Sequence, residues 1–411
     1  MAIQTLSEFY ACMKMLSEIR AKIVEVIKHD DTVDMKDLKS LEQIKLNLED
    51  IPRNGELFEL QTNQGKSISI ELDYEISELR KDDIFLKHGP KALEEYMTTI
   101  HKNYNVEVNS GLDFLKQHSY KHFITDRDGT VSNYCGRYQS SIQPIYNALC
   151  LSEMSKFIEG KSIILTSAPL FNNGLADVSV QPKGEYILAG SKGRELLFEG
   201  RKYTFPIEEY QQNKLNELNQ DIENLLEDDN YAMFRYIGSG LQYKFGQTTL
   251  ARQDKNNSIS EKKSLKLKHK IIDLLEKLDS DNRIFSLEDT GKDLEIMLNI
   301  TSGDNNLEEF DKGHGLKFIL NHLGADLQNQ KVLICGDTSS DIPLITSAQE
   351  LGAQVSCVFV TEDQNLKEKV RAKCKNSFFV SSPDVLIYML YKYSKHQNSW
   401  NPISLFLSLV N

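Results

Sequence analysis

The chain has 411 residues, with 60 acidic against 48 basic for a formal net charge of -12; that length holds two or three domains with cores of their own, and the acidic excess weighs against nucleic acid or an anionic membrane as the main partner. The six cysteines (Cys12, Cys135, Cys150, Cys335, Cys357 and Cys374) are scattered with no CxxC pair, as fits reduced thiols in a cytoplasmic protein. No run reaches the ~20 apolar residues of a membrane span, the apolar stretch 403–410 is far too short for one, and the amino terminus lacks a signal peptide's apolar segment.

Up to residue 110 glycine is sparse and apolar residues recur at helical spacing. Leu6, Phe9, Met13, Leu16, Ile19, Ile23 and Val26 draw one stripe, as one face of a helix does. Thr5 and Glu8 form a capping box that starts it. Met35, Leu38, Leu41, Ile44, Leu48 and Ile51 draw a second stripe, stopped by Pro52. A third helical stretch is expected over 68–86, and Pro90 opens a fourth from a first-turn position. Residues 1–110 therefore read as an all-α helical bundle without chemistry of its own. Its long faces suit self-association or a protein partner, and the sequence does not choose between these.

Beyond residue 110 strands and helices alternate. Short apolar strands over 123–125, 162–167, 331–337 and 355–361, with a helix over 142–158 carrying Pro144 in its first turn, predict an α/β fold. Its centre is a Rossmann-like, doubly wound parallel sheet. Ligands of such sheets lie outside the carboxyl ends of the strands.

The first of those ends carries Phe123-Ile124-Thr125-Asp126-Arg127-Asp128-Gly129-Thr130. Side chains of an extended segment repeat with period two, so Asp126 and Asp128 point to the same side. Two such carboxylates repel unless a cation or a shared proton intervenes. A hard, oxygen-binding ion such as Mg²⁺ suits them, and in turn suits a phosphate. Thr166 and Ser167 end the second strand, where a hydroxyl and backbone N–H groups can hold a phosphate oxygen. Lys312 stands in Asp311-Lys312-Gly313-His314-Gly315 before a helix over 316–323, with His314 read as structural. Asp337 and Asp341, in Gly336-Asp337-Thr338-Ser339-Ser340-Asp341, mark the strand-to-helix junction after the third strand. Each signal alone has an ordinary explanation: hydroxyls end many strands, a turn lysine is a solvated charge, and an aspartate caps the helix it opens. The ordered set of carboxylate pair, hydroxyl, lysine and carboxylate pair does not.

These residues resemble the four motifs of the haloacid dehalogenase superfamily of phosphatases, over residues 120 to about 385. Within it, residues 126–143 (DRDGTVSNYCGRYQSSIQ) and 162–169 (SIILTSAP), with a helical amino-terminal extension of this size, are similar to the trehalose-6-phosphate phosphatases of the nematode type. The resemblance implies a catalytic core over 111–175 and 300–411, with an α/β cap domain inserted at 176–299. It further implies a Mg²⁺-dependent phosphoric monoester hydrolase that takes a small-molecule sugar phosphate, trehalose 6-phosphate.

In that scheme the catalytic residues are Asp126, Asp128, Thr166 and Lys312. Asp126 is the nucleophile of an aspartyl-phosphate intermediate, Asp128 the acid/base, and Thr166 and Lys312 hold phosphoryl oxygens. Mg²⁺ is held by Asp126, the Asp128 backbone carbonyl and Asp337, with Asp341 orienting the lysine or a metal-bound water. There are two departures. Bacterial and fungal relatives carry Thr-Gly-Arg where this chain has Thr166-Ser167-Ala168, and Gly-Asp-Asp where Thr338 follows Asp337 here. One arginine and one carboxylate are thus missing from their usual places, while the ligands for the ion remain.

The sugar is expected to be read by the cap. A disaccharide covered in hydroxyls calls for groups able to make paired hydrogen bonds, and Glu195, Lys244, Arg252, Glu288 and Glu295 are the candidates. Residues 243–250 and 293–298 alternate like strands of a small cap sheet, and 203–230 and 261–277 read as cap helices. Two other readings stay open: the same chemistry on sucrose phosphate or a hexose phosphate, and a catalytically idle scaffold in which the helical bundle is the working part. The intact DxDGT and both later aspartates weigh against the scaffold.

Overall fold

The computed structural model describes residues 3–62, 65–254, 256–301 and 307–396; the apolar stretch 403–410 lies outside the described residues. Helices α1 (Leu6–Lys28) and α2 (Met35–Glu49) begin the chain. The capping box forms, with the Glu8 N–H donating to Thr5 Oγ1 at 3.2 Å and the Thr5 N–H to the Glu8 carboxylate at 2.9 Å. The α1 stripe is buried at Phe9, Met13, Leu16 and Ile23.

The next segment departs from the all-helical expectation. Strands β1 (Arg53–Asn54), β2 (Leu57–Gln61) and β3 (Ser67–Ile70) form a small antiparallel sheet, and α3 (Asp73–Ile100) starts only after it. In β3 exposed serines alternate with more buried isoleucines, the period-two signature of a strand. Pro90 does open a new helical segment, because α3 breaks at Gly89, whose φ of 82° suits glycine. Helix α4 (Tyr104–Leu115) carries the helical region past residue 110.

Then come β4 (His122–Thr125), α5 (Ile145–Phe157), β5 (Ser162–Leu165), the single turn α6 (Leu175–Val178), β6 (Ile187–Gly190), β7 (Glu195–Phe198) and β8 (Arg201–Thr204). An insertion follows: α7 (Glu209–Leu225), β9 (Leu241–Lys244), β10 (Gln247–Ala251), α8 (Glu261–Leu278), β11 (Phe285–Asp289) and β12 (Asp293–Leu298). A short ribbon of β13 (Ile300–Thr301) and β14 (Leu307–Glu308) returns the chain to α9 (Lys312–Leu323), β15 (Lys331–Gly336), α10 (Ile342–Glu350), β16 (Gln354–Val360), α11 (Gln364–Lys373), β17 (Ser377–Val380) and α12 (Pro383–His396).

The central sheet has eight strands in the order β17-β16-β15-β4-β5-β6-β7-β8. It is parallel from β17 to β6 and antiparallel across the last two pairings. Alternate side chains feed two cores. Ile124, Ile163, Ile334 and Phe359 pack with residues of α9, α10 and α11 on one face. Phe123, Ile164, Leu333 and Val358 share the other core with α5, α12 and the amino-terminal helices. The amino-terminal helices are therefore one layer packed on the central sheet.

Residues 176–299 do not all stand apart from the core, since β6, β7 and β8 pair into the central sheet. Ile187-Leu188-Ala189-Gly190 is the short apolar run expected of a covered parallel strand. The insertion proper, from α7 to β12, builds its own four-stranded sheet, β11-β12-β10-β9, over Leu218, Ile222, Leu267, Ile271, Leu294 and Ile296. Exposed links join it to the amino-terminal region, Lys66 to Asp229 at 2.8 Å and Asn256 to Glu71 at 2.5 Å. Among the described residues no helix is long and apolar enough to cross a membrane.

Candidate active site

Strands β4 and β15 lie side by side, and the Asp126 N–H donates to the Cys335 carbonyl at 3.0 Å. That pairing delivers Asp126 and Asp337 to the same carboxyl edge. Lys312, the first residue of α9, reaches across from the next element. Its Nζ stands 2.5 Å from Asp126 Oδ1 and 2.5 Å from Asp341 Oδ1. Thr130 Oγ1 lies 3.2 Å from Asp126 Oδ2 and 3.2 Å from Asp337 Oδ1. The other Asp341 oxygen accepts the N–H groups of Asp337 and Thr338, each at 3.0 Å, so this aspartate shapes the turn as well as gripping the lysine.

One carboxylate oxygen from each of Asp126, Asp337 and Asp341 falls within 4.8 Å of the others. Two of these carboxylates bond the Lys312 ammonium, and Asp337 feels it from farther off. Burial, opposed by Lys312 and reinforced by Asp341 and Asp128, pushes Asp126 up to about 7. Burial and the neighbouring Asp126 and Asp341 push Asp337 up to about 9. Burial alone would lower Lys312, but its two carboxylate partners hold it above its ordinary value. Such an excess of crowded carboxylate oxygens fits a hard divalent cation.

Asp128 has different company. Its Oδ1 accepts from the Arg127 guanidinium and its Oδ2 from Thr166 Oγ1 at 3.3 Å. The two motif aspartates are thus neighbours with separate partners, one on the lysine and the cluster, the other on Arg127 and Thr166. His314 serves its own helix, its ring Nδ1 2.8 Å from the capping Asp311.

The cap candidates divide. Glu295 on β12 and Lys244 on β9 stand together in a group completed by Lys192, whose Nζ lies 3.1 Å from Glu295. Burial would raise Glu295, but Lys244 and Lys192 hold it below the usual carboxylate range. Lys244 is lowered by burial against the pull of Glu295, and it lies within electrostatic reach of Asp128. Glu288 joins at the edge, 3.7 Å from Lys192 and 53% exposed.

Glu195 and Arg252 lie outside that group and are held by other partners. Glu195 lies in the central sheet, with its carboxylate taken by Ser191 Oγ at 2.7 Å and Lys202 at 2.6 Å. Arg252 is bound through Nη1 to Asp289 and through Nε to Ser264 Oγ. Sequence reading passed over Lys192, which follows β6 in a turn whose N–H groups at 191 and 192 bond to the carbonyls of Ala168 and Thr166. Its signal was a lysine between glycines at the end of an apolar run. It also passed over Tyr134, an exposed ring within electrostatic reach of Asp293, Asp128 and Asp337.

This arrangement of aspartates, lysine and threonines at the edge of a parallel sheet is that of the haloacid dehalogenase-type phosphatases. The family profile described as "Trehalose-6-phosphate phosphatase, C-terminal" matches residues 123–386, and that of the "Trehalose-6-phosphate phosphatase N-terminal helical bundle domain" matches residues 5–104. The chain belongs to the trehalose-6-phosphate phosphatase family.

It is 30% identical to the Caenorhabditis elegans protein named alpha,alpha-trehalose-phosphate synthase [UDP-forming] 1, a match over 94% of this chain and 31% of that one. It thus spans about a third of the length of such relatives. To the Brugia malayi trehalose-phosphatase it is 26% identical, over 93% of this chain and 85% of that one. The C-terminal domain of Candida albicans trehalose-6-phosphate phosphatase superposes with a TM-score of 0.47 at 13% identity, over 70% of this chain and 96% of that one. A likeness that low carries no argument about activity.

Proposed function

We propose that this chain is a Mg²⁺-dependent phosphatase that hydrolyses trehalose 6-phosphate to trehalose and inorganic phosphate through an aspartyl-phosphate. The observation that carries the reading is Asp126, 4% exposed, held by Lys312 and Thr130 at the edge of a three-carboxylate cluster. A carboxylate fixed in this way is a nucleophile aimed out of the sheet, and a covalent intermediate splits one hard displacement into two easier steps.

Asp126 attacks phosphorus in line. Lys312 screens its charge, and with Thr166 it holds the non-bridging oxygens. Asp128 gives its proton to the departing sugar oxygen and later takes one from the attacking water, a role worth about 10²–10⁴ in rate. Mg²⁺, bound by Asp126, Asp337 and the Asp128 backbone carbonyl, would supply charge neutralisation between an anionic nucleophile and a dianionic ester. Asp341 orients Lys312, as their 2.5 Å contact supports. Lys192, Lys244 and Glu295 are the groups of the cap side that would read sugar hydroxyls.

Phosphate release from trehalose 6-phosphate, sucrose phosphate and glucose phosphate, with and without Mg²⁺, tests the reading. Release from trehalose 6-phosphate that requires Mg²⁺ and far exceeds the others is expected. Equal or faster release from glucose phosphate overturns the substrate, and no release from any ester by a chain that binds Mg²⁺ favours a scaffold.

Gly129 gives a second check. It has a φ of +83°, and a Cβ there would meet an Asp337 oxygen at 2.2 Å. Gly129→Ala should therefore displace Asp337 and weaken Mg²⁺ activation about 10–100-fold, read from the Mg²⁺ dependence of phosphate release. Unchanged Mg²⁺ dependence would remove Asp337 from the cation site.

A further inference from the structure

We infer that Arg127 is the positioning residue of Asp128 and that the amino-terminal helices hold Arg127 in place. The inference rests on the reading of Asp128 as proton donor to the leaving group. Arg127 is 3% exposed although it sits between two motif aspartates. Its guanidinium donates to Asp128 Oδ1, to Ser141 Oγ at 3.0 Å and to the Ser141 carbonyl. Tyr138 places its ring 5.5 Å from the guanidinium carbon. The Arg127 carbonyl accepts the N–H groups of Val131 at 3.0 Å and Ser132 at 2.9 Å, closing the motif turn. A planar fork that spans two acceptors fixes an angle as well as a distance. Without it, Asp128 keeps, among the described residues, only the side-chain bond from the Thr166 hydroxyl at 3.3 Å.

The anchor of Arg127 is in turn anchored from outside the sheet. The carbonyl of Ile142, next to Ser141, accepts from Arg20 Nη1 of α1 at 2.8 Å and from the Tyr74 hydroxyl of α3 at 3.1 Å. The Ile145 N–H donates to Asp82 of α3 at 2.7 Å, and Asp82 is paired with Arg20 at 2.7 Å, both side chains 1% exposed. A continuous set of bonds thus runs from α1 and α3 through residues 141–145 to Arg127 and Asp128. Buried charges of this kind hold one geometry because leaving it exposes an unpaired ion. The step that depends on it is the first half-reaction. The Asp126–phosphorus bond forms, the bond from phosphorus to the sugar oxygen breaks, and the Asp128 proton moves to that oxygen.

The test uses the dependence of kcat/KM on the leaving group, since kcat/KM reports the enzyme up to departure of that group. A sugar oxygen needs a proton to leave, and 2,4-dinitrophenolate does not. Arg127→Met should lower kcat/KM for trehalose 6-phosphate about 100-fold and that for 2,4-dinitrophenyl phosphate by less than about threefold, with Arg127→Lys between wild type and Arg127→Met. Tyr74→Phe deletes one bond to the Ile142 carbonyl without emptying the core, and should show the same selectivity at about 3–10-fold. Equal losses on both esters, or no loss for Arg127→Met, overturn the role of Arg127. A selective Arg127→Met beside an unaffected Tyr74→Phe overturns the role of the helices. Should the wild-type chain cleave another alkyl phosphate in place of trehalose 6-phosphate, the substrate reading fails, and the comparison is made on that ester.

Discussion

Asp126→Asn is expected to lose phosphate release by roughly 10⁴-fold or more, with a melting temperature no lower than that of the wild type. The amide has nearly the shape of the carboxylate but does not attack phosphorus, so the covalent step is gone. Its oxygen can still accept from Lys312, 2.5 Å away in the wild type. The substitution also removes one negative charge from a site where Asp126, Asp337 and Asp341 crowd together, and crowding is part of what pushes Asp126 up to about 7. Lys312 keeps its ion pair with Asp341, so the relief of crowding offsets the lost pair with Asp126 in folding, and chemistry loses everything. Phosphate release and a thermal melt on the same preparation check both halves. An active Asp126→Asn enzyme would falsify the nucleophile assignment.

Lys81→Met is expected to have the largest effect on stability, about 3–5 kcal/mol. Lys81 on α3 lies 2.8 Å from Glu78 and 2.8 Å from Asp384 at the start of α12, and all three are buried. Asp384 also accepts from the Tyr146 hydroxyl at 2.8 Å and from Asn133 at 3.0 Å, and its other oxygen lies 2.9 Å from the His101 ring. Burial would raise Asp384, yet Lys81 and the bonds from His101 and Tyr146 hold it well below the usual carboxylate range. Methionine matches the lysine stem and leaves two buried carboxylates without their cation. The denaturant midpoint should fall at an unchanged slope. Adding Glu78→Gln and Asp384→Asn should restore most of the loss, since no unpaired charge then remains. A midpoint equal to wild type for Lys81→Met alone would show that the cluster is not a keystone between α3 and α12.

The geometry of the candidate site was legible in the sequence because it is local. Asp126, Thr166, Lys312 and Asp337 each announce themselves by a short apolar strand or a helix start beside them, and the sheet brings those ends together. The stripe from Leu6 to Val26 was legible for the same reason, since its period needs only one helix to explain it. What failed was whatever depends on distant partners. Four residues of β3 are too few to separate strand from helix by period. Strands β6 to β8 look inserted in sequence and join the sheet one after another, β6 on β5, β7 on β6 and β8 on β7. Glu195 and Arg252 are polar residues in the expected segment, but Lys202 and Asp289 had already taken them. Nor could any stripe say what it packs against, so the shared core of the amino-terminal helices and the sheet emerges only in three dimensions.

The links from the insertion to the amino-terminal region form a weak clasp. Lys66–Asp229 and Asn256–Glu71 are exposed, and an exposed pair is worth about 0–1 kcal/mol. Parting both would cost no more than about 2 kcal/mol. Such a clasp is weak enough to part without disturbing the buried bonds beneath it, and added salt, which screens an exposed ion pair, would loosen Lys66–Asp229 further.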